Sequence, residues 1–127
     1  MCIPSSCGIT QATSAGEVER VNPVLLKLMK ERGVYNEETI HRIAENYGSV
    51  QGEDWLTEDE KRIFRTAFEL DQRVILRLAS QRQKYIDQGQ SINLFFSADA
   101  EEEYISAVHK QAFEDENILS LYYCYFN

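Results

Sequence analysis

The sequence is poor in residues that break or cross-link a chain. Its 127 residues include 6 glycines, 2 prolines and 3 cysteines. With 43% hydrophobic and 27% charged residues beside so few breakers, the chain is globular rather than low-complexity or disordered. Cys2, Cys7 and Cys124 are odd in number and scattered, which argues against a disulfide framework. Cys2 and Cys7 also lack the C-x-x-C spacing of a metal knuckle, and His41 and His109 lie far from both. Helix-surface or half-buried positions account for the two histidines more simply than metal ligation, so no metal site is expected. Basic residues are scarce as well: 13 Lys and Arg face 21 Asp and Glu, a formal charge of −8. Phosphate binding needs clustered Lys and Arg, so nucleic acid is not an expected partner. An anionic membrane surface is disfavoured by the same charge. No apolar run approaches the ~20 residues that cross a bilayer. The opening MCIPSSCGITQ lacks the basic start and long apolar segment of a signal peptide. The expectation is a cytoplasmic chain with no membrane partner.

What is present reads as one segment of three parts. Residues 1–20 are small and polar and read as loop. Residues 21–86 read as helices. In VNPVLLKLMKERG, Asn22 suits an N-cap, Pro23 the first helical position and Gly33 the residue past the end. Val24, Leu25, Leu28 and Met29 share a face. Asn36 caps a second helix, EETIHRIAEN, which stops at Tyr47-Gly48. Thr57 and Glu60 form a Thr-x-x-Glu capping box opening what reads as the longest helix. There Ile63, Ala67, Leu70, Val74 and Leu78 recur at helical spacing, flanked by Phe64, Phe68 and Ile75. Asp71 can cap a second segment, so one helix or two end to end are both open. Glu58–Arg62 and Glu69–Arg73 have the favourable i,i+4 order on a solvated opposite face.

Residues 91–126 change character to strand, helix, strand. SINLFF is a short strand, Ser97 or Asp99 is placed to cap the helix ADAEEEYISAVHKQAFED, and ILSLYYCYF is a second strand. Tyr104, Ile105, Val108 and Phe113 are expected on the inner face of that helix. Short connections make this a βαβ unit with parallel strands, both apolar enough to be covered on two faces. The class is therefore helix-rich α/β. Two strands alone leave bare edges, and no other stretch reads as strand. The closing strand, which ends at Phe126, is expected to be finished by another chain.

Several stretches match one family in series. SAGEVERVNPVLLKLMKERGVYNEE is similar to the family's Ser-Gly-Glu-Phe, Val-Asn-Pro, Leu-Leu and Gly-Leu-Trp pattern. GSVQG follows, and then FRTAFELDQRVILRLASQRQKYIDQGQSINLFF is similar to a helix leading into Phe-Ile-Asp-Gln-Ser-Gln-Ser-x-Asn. LSLYY resembles a strand ending in Tyr-Tyr. Residues 15 to 123 thus resemble the C-terminal end of the catalytic (large, alpha) subunit of class I ribonucleotide reductase. The resemblance implies the last two strands of a ten-stranded α/β barrel with their surrounding helices, completed by another chain. It further implies that Tyr122 and Tyr123 carry a radical from the small subunit toward a barrel cysteine, whose thiyl starts reduction of the ribose 2′-hydroxyl. Two tyrosines in a strand are by themselves most simply core residues; the surrounding match is what assigns them this role. Pro4-Ser5-Ser6-Cys7-Gly8 is placed like the family's phosphate-holding loop, making Ser5, Ser6 and Gly8 candidate substrate-phosphate ligands. The match is poor there, because the family's longer segment and its Ile-Glu-Pro signature are missing before Val21-Asn22-Pro23.

The family's redox cysteine pair, thiyl-forming cysteine and acid/base Asn and Glu are not in this sequence. Cys124 reads as a packing thiol. The isolated chain is expected to be inactive and to bind no cofactor itself. The resemblance implies an upstream large-subunit fragment as partner, a small (beta) subunit with a di-iron or di-manganese centre, thioredoxin or glutaredoxin as reductant, and a ribonucleoside diphosphate as substrate. A split, phage-type gene in a bacterial cell or infected host is the expected setting. A non-catalytic module that binds and modulates a large subunit is the alternative. A decaying relic is disfavoured by the intact caps and patterning.

Overall fold

The computed structural model describes residues 9–13 and 16–127, with side-chain surroundings from Val21 onward. Ser5, Ser6 and Gly8 lie outside the described residues, as do Cys2 and Cys7. The chain divides into two compact units, Met1–Ala67 and Phe68–Asn127.

The first unit corrects the reading of residues 1–20 as loop. β1 (Ile9–Thr13) and β2 (Gly16–Arg20) pair antiparallel, with Ile9 opposite Arg20 and Thr13 opposite Gly16. The small polar residues of this stretch carry no apolar run or clean alternation to mark a strand in the sequence. The helices follow the sequence closely. α1 (Pro23–Glu31) is capped by Asn22, whose side chain accepts from the Val24 and Leu25 amides, and α2 (Glu37–Glu45) by Asn36, which accepts from Thr39. Both end alike. Val34 N–H donates to the Met29 carbonyl across Gly33 (φ 69°), and Gly48 N–H donates to Ile43 across Tyr47 (φ 56°). These are six-to-one closures that need a left-handed residue. Glycine supplies it freely at position 33, whereas Tyr47 holds it against its own Cβ. Leu25, Met29, Ile43, Val50, Leu56 and Phe64 form the core, while Val24 is exposed.

The expected long helix is in fact broken. α3 (Glu58–Ile63) carries the complete Thr57–Glu60 capping box, a 3-10 turn follows at Ala67–Glu69, and α4 (Gln72–Gln83) starts afresh at Asp71, which accepts from the Arg73 amide. With the helical phase lost between segments, the expected stripe is lost too: Ile63, Val74 and Leu78 are exposed, and Leu76 and Ala79 are buried. The ion pairs are also local, Glu58 to Lys61, Asp59 to Arg62 and Asp71 to Arg73.

In the second unit β3 (Leu94–Phe96) pairs in parallel with β4 (Cys124–Phe126), and α5 (Glu102–Glu114) lies between them in sequence. The strand-helix-strand expectation holds, with β4 shorter than its apolar run. Leu76, Ala79, Ile92, Leu94, Phe96, Val108 and Ala112 form this unit's core. Two details differ. Glu101, with no capping side-chain bond, precedes α5, while Ser97 Oγ donates to Asp99 within a turn closed by Ala100 N–H to the Ser97 carbonyl. Phe113, expected inside, is 79% exposed. All three residues of β4 are exposed, so the strand is not covered on two faces in this chain. No helix among the described residues is long and apolar enough to cross a membrane.

Candidate functional site

The site begins with Tyr122 and Tyr123, on the approach to β4. Tyr122 N–H donates to the Ile92 carbonyl at 2.8 Å, and the Tyr123 carbonyl accepts from Leu94 N–H at 2.9 Å. Asn93 Oδ1 accepts from Tyr123 N–H at 3.2 Å. Backbone bonds thus tie both tyrosines to β3 and its lead-in while their side chains stay free of the core. Tyr122 is 61% exposed and Tyr123 52%. Their ring centroids lie 4.1 Å apart with planes inclined by 58°. The neighbouring Tyr123 side chain, then desolvation, raises the Tyr122 phenol above its ordinary value, which favours its protonated form.

The aromatic contacts continue. Tyr123 lies 5.7 Å from Tyr125, Tyr125 stacks on Phe95 at 5.1 Å, and Phe95 meets Phe68 edge-on at 5.5 Å. On the other side of the sheet Phe96 packs against Tyr104, His109 and Phe126. His109 is thereby a half-buried helix residue, its Nδ1 2.8 Å from the Ile105 carbonyl, and exposed His41 pairs with Glu45 on α2. Tyr125 and Asn93 join the site without having been singled out in the sequence. A polar residue between Ile92 and Leu94 in an apolar strand was the available signal.

Cys124 requires a correction. It is exposed and free, not a packing thiol, because β4 is an edge strand with no element beyond it among the described residues. Desolvation nevertheless pushes its thiol upward, which favours the protonated form. No group of three or more His, Cys, Asp or Glu among the described residues is arranged to hold a metal ion.

Behind the strands, buried Gln72 ties three elements. Its Oε1 accepts from Phe95 N–H at 3.0 Å, its Nε2 donates to the Leu70 carbonyl, and its own N–H donates to the Tyr104 hydroxyl at 2.8 Å. The phenyl ring nearest Tyr125 is therefore fixed through its backbone.

A paired-phenol segment leads into a strand whose parallel neighbour is joined to it through one helix, and the fold that carries them is similar to known proteins. A sequence model described as ribonucleotide reductase, barrel domain, matches residues 5–124. The chain belongs to that family. The putative ribonucleoside-diphosphate reductase large subunit of Frog virus 3 is 40% identical over 111 residues, 87% of this chain and 20% of that protein. The ribonucleoside-diphosphate reductase large subunit of Invertebrate iridescent virus 6 is 38% identical over 117 residues, 89% of this chain and 12% of that protein. Among solved structures, the Actinobacillus ureae class Id ribonucleotide reductase alpha subunit aligns with 94% of this chain and 22% of its own, at a TM-score of 0.77 and 36% identity. The chain thus spans about a fifth or less of the length of these relatives. The resemblance to a C-terminal part of the large subunit is borne out, and the helix-rich fold with its small parallel sheet is a fragment of the family's α/β barrel.

Proposed function

We propose that this chain completes the barrel of a ribonucleoside-diphosphate reductase large subunit and supplies its tyrosine pair for radical transfer. The observation that carries the reading is the 4.1 Å approach of the Tyr122 and Tyr123 rings on a strand end open to solvent. A phenoxyl on one ring is reduced by an electron and a proton from the neighbouring phenol, so the O–H bond and the radical exchange places and nothing else is consumed. Ring contact shortens the path for both the electron and the proton. The exposure of β4 supports the barrel half of the proposal: a two-stranded parallel sheet with exposed Tyr125 and Phe126 gains apolar burial when further strands and helices cover it.

In this reading the upstream strands, with the redox and thiyl-forming cysteines, lie on a separate polypeptide of a split, phage-type gene in the cytoplasm. A small subunit with a di-iron or di-manganese centre starts the radical, thioredoxin or glutaredoxin restores the reductant, and ribonucleoside diphosphates are the substrate. Ser5, Ser6 and Gly8 stay candidates for holding the substrate's phosphates. Mixing this chain with its upstream fragment and small subunit is expected to reduce CDP. Either Tyr122→Phe or Tyr123→Phe should remove turnover and leave assembly intact, since phenylalanine keeps the ring but forms no phenoxyl. Turnover surviving both substitutions overturns the relay. Capture of a full-length large subunit that the chain modulates without contributing tyrosines would overturn the catalytic role.

A further inference from the structure

Adjacent residues of a strand send their side chains to opposite faces, yet the rings of Tyr122 and Tyr123 lie 4.1 Å apart. The hydrogen bonds explain how. β3 and β4 pair with Leu94 opposite Cys124, Phe95 opposite Tyr125 and Phe96 opposite Phe126. Continued one step back, this register sets Tyr123 opposite Asn93, with the Tyr123 carbonyl accepting from Leu94 and the Tyr123 N–H donating to Ile92. The first bond is present at 2.9 Å. In the second, the Ile92 carbonyl is taken by Tyr122 N–H at 2.8 Å. Both tyrosines therefore oppose the single residue Asn93. That is a β-bulge, which interrupts the alternation of faces and re-aims a side chain. It also displaces one donor, Tyr123 N–H, and Asn93 Oδ1 accepts it at 3.2 Å.

We propose that Asn93 is a positioning residue for the tyrosine pair: its carboxamide oxygen stabilises the bulge that brings the two phenols together. The proposal rests on the radical-relay reading for its purpose, though not for its geometry. Without an acceptor at position 93, the regular register becomes the better arrangement, because there Tyr123 N–H recovers the Ile92 carbonyl. The rings then part to opposite faces.

The test compares Asn93→Ala, which removes the acceptor, with Asn93→Asp, which keeps an oxygen in its place. NMR on the full chain reads the Tyr122–Tyr123 ring contact, amide exchange at Tyr123, and exchange at Phe96 as a control for the fold. In Asn93→Ala the ring contact should vanish and Tyr123 exchange should quicken roughly five- to tenfold, with Phe96 still protected. Asn93→Asp should retain both. In the assembled reductase Asn93→Ala should lower kcat on the order of 100-fold at unchanged substrate KM, and Asn93→Asp should restore most of it. A ring contact that persists in Asn93→Ala overturns the proposal. If Asn93→Ala unfolds, loss of the contact in a folded Asn93→Asp overturns it. Rings that part with kcat unchanged leave the positioning role standing and defeat the relay instead.

Discussion

The two units hold themselves together with different polar chemistry. In the first, the ties between distant residues are mostly ionic. Arg42 grips Glu53 through two bonds of 2.9 and 2.8 Å, and Trp55 Nε1 adds a third at 2.7 Å. Arg32 grips Glu60 and also donates to the Trp55 carbonyl. In the second unit they are mostly neutral amides. Gln72 holds Phe95 and Leu70, Gln90 donates to the Ala79 carbonyl, Asn93 holds Tyr123, and Asn127 accepts from Ala98 N–H. A charged pair fixes one side chain on another. An amide, with donor and acceptor together, satisfies backbone groups that irregular geometry has left over. The unit with the irregular strand and exposed aromatics is thus the one that uses amides.

The core of the second unit offers the strongest way to break this contrast. Phe96 is 1% exposed and stacked among Tyr104, His109 and Phe126. Phe96→Ala should cost about 3–5 kcal/mol and release amide protection in residues 68–127, as hydrogen exchange would report. The first unit should keep its protection.

A smaller loss tests the ionic half. The Glu53 side chain is only 2% exposed, so Glu53→Gln replaces a buried partner of both Arg42 and Trp55. Because Arg42 itself reaches solvent, the cost should be about 1–3 kcal/mol, measured by denaturant unfolding.

Acid sharpens the same difference. Bonding to Arg32, and then to Thr57, holds Glu60 down from 4.5 to about 2. Arg42 likewise lowers Glu53, against the opposing effect of burial. A carboxylate whose folded pKa is depressed contributes stability above its unfolded value and loses it as pH falls through the folded one. The first unit should therefore lose amide protection progressively between about pH 4.5 and 2. The second also has lowered carboxylates, Asp71 through Arg73 and Asp99 through Ser97, but they cap and turn at exposed positions. Its amide ties do not titrate, so it should soften less.

The smallest effects separate the two helix ends of the first unit. Gly33→Ala, at φ 69° with open space around it, should cost about 1 kcal/mol from backbone strain alone. Tyr47→Gly relieves the same strain and should gain about 0.5 kcal/mol once glycine's extra unfolded freedom is subtracted. Thermal melts of the pair, shifted in opposite directions, check both.

Local chemistry was legible in the sequence. Asn22, Asn36, Thr57 and Asp71 each cap the helix that follows them, since a cap depends only on a short polar side chain and the next three amides. The break before Asp71 was left open, because apolar spacing continues through a stretch where the helix does not. Phe113, Ile63 and Cys124 read as inward and are exposed; which face of an element is buried depends on what packs there, and periodicity does not name the neighbour.

The site divides the same way. Adjacent tyrosines could be read directly from the chain, and the role proposed for them came from the family resemblance. Their contact could not be read, because a regular strand would have placed them on opposite faces. The sequence by itself determined the caps, the helix ends, the strand-helix-strand order and the presence of two phenols in series. Tertiary structure alone decided that β3 would give one residue to two of its partner's, with Asn93 thirty positions away filling the vacancy. Bonds of that kind join residues distant in sequence, and a one-residue slip in register changes no local propensity at all.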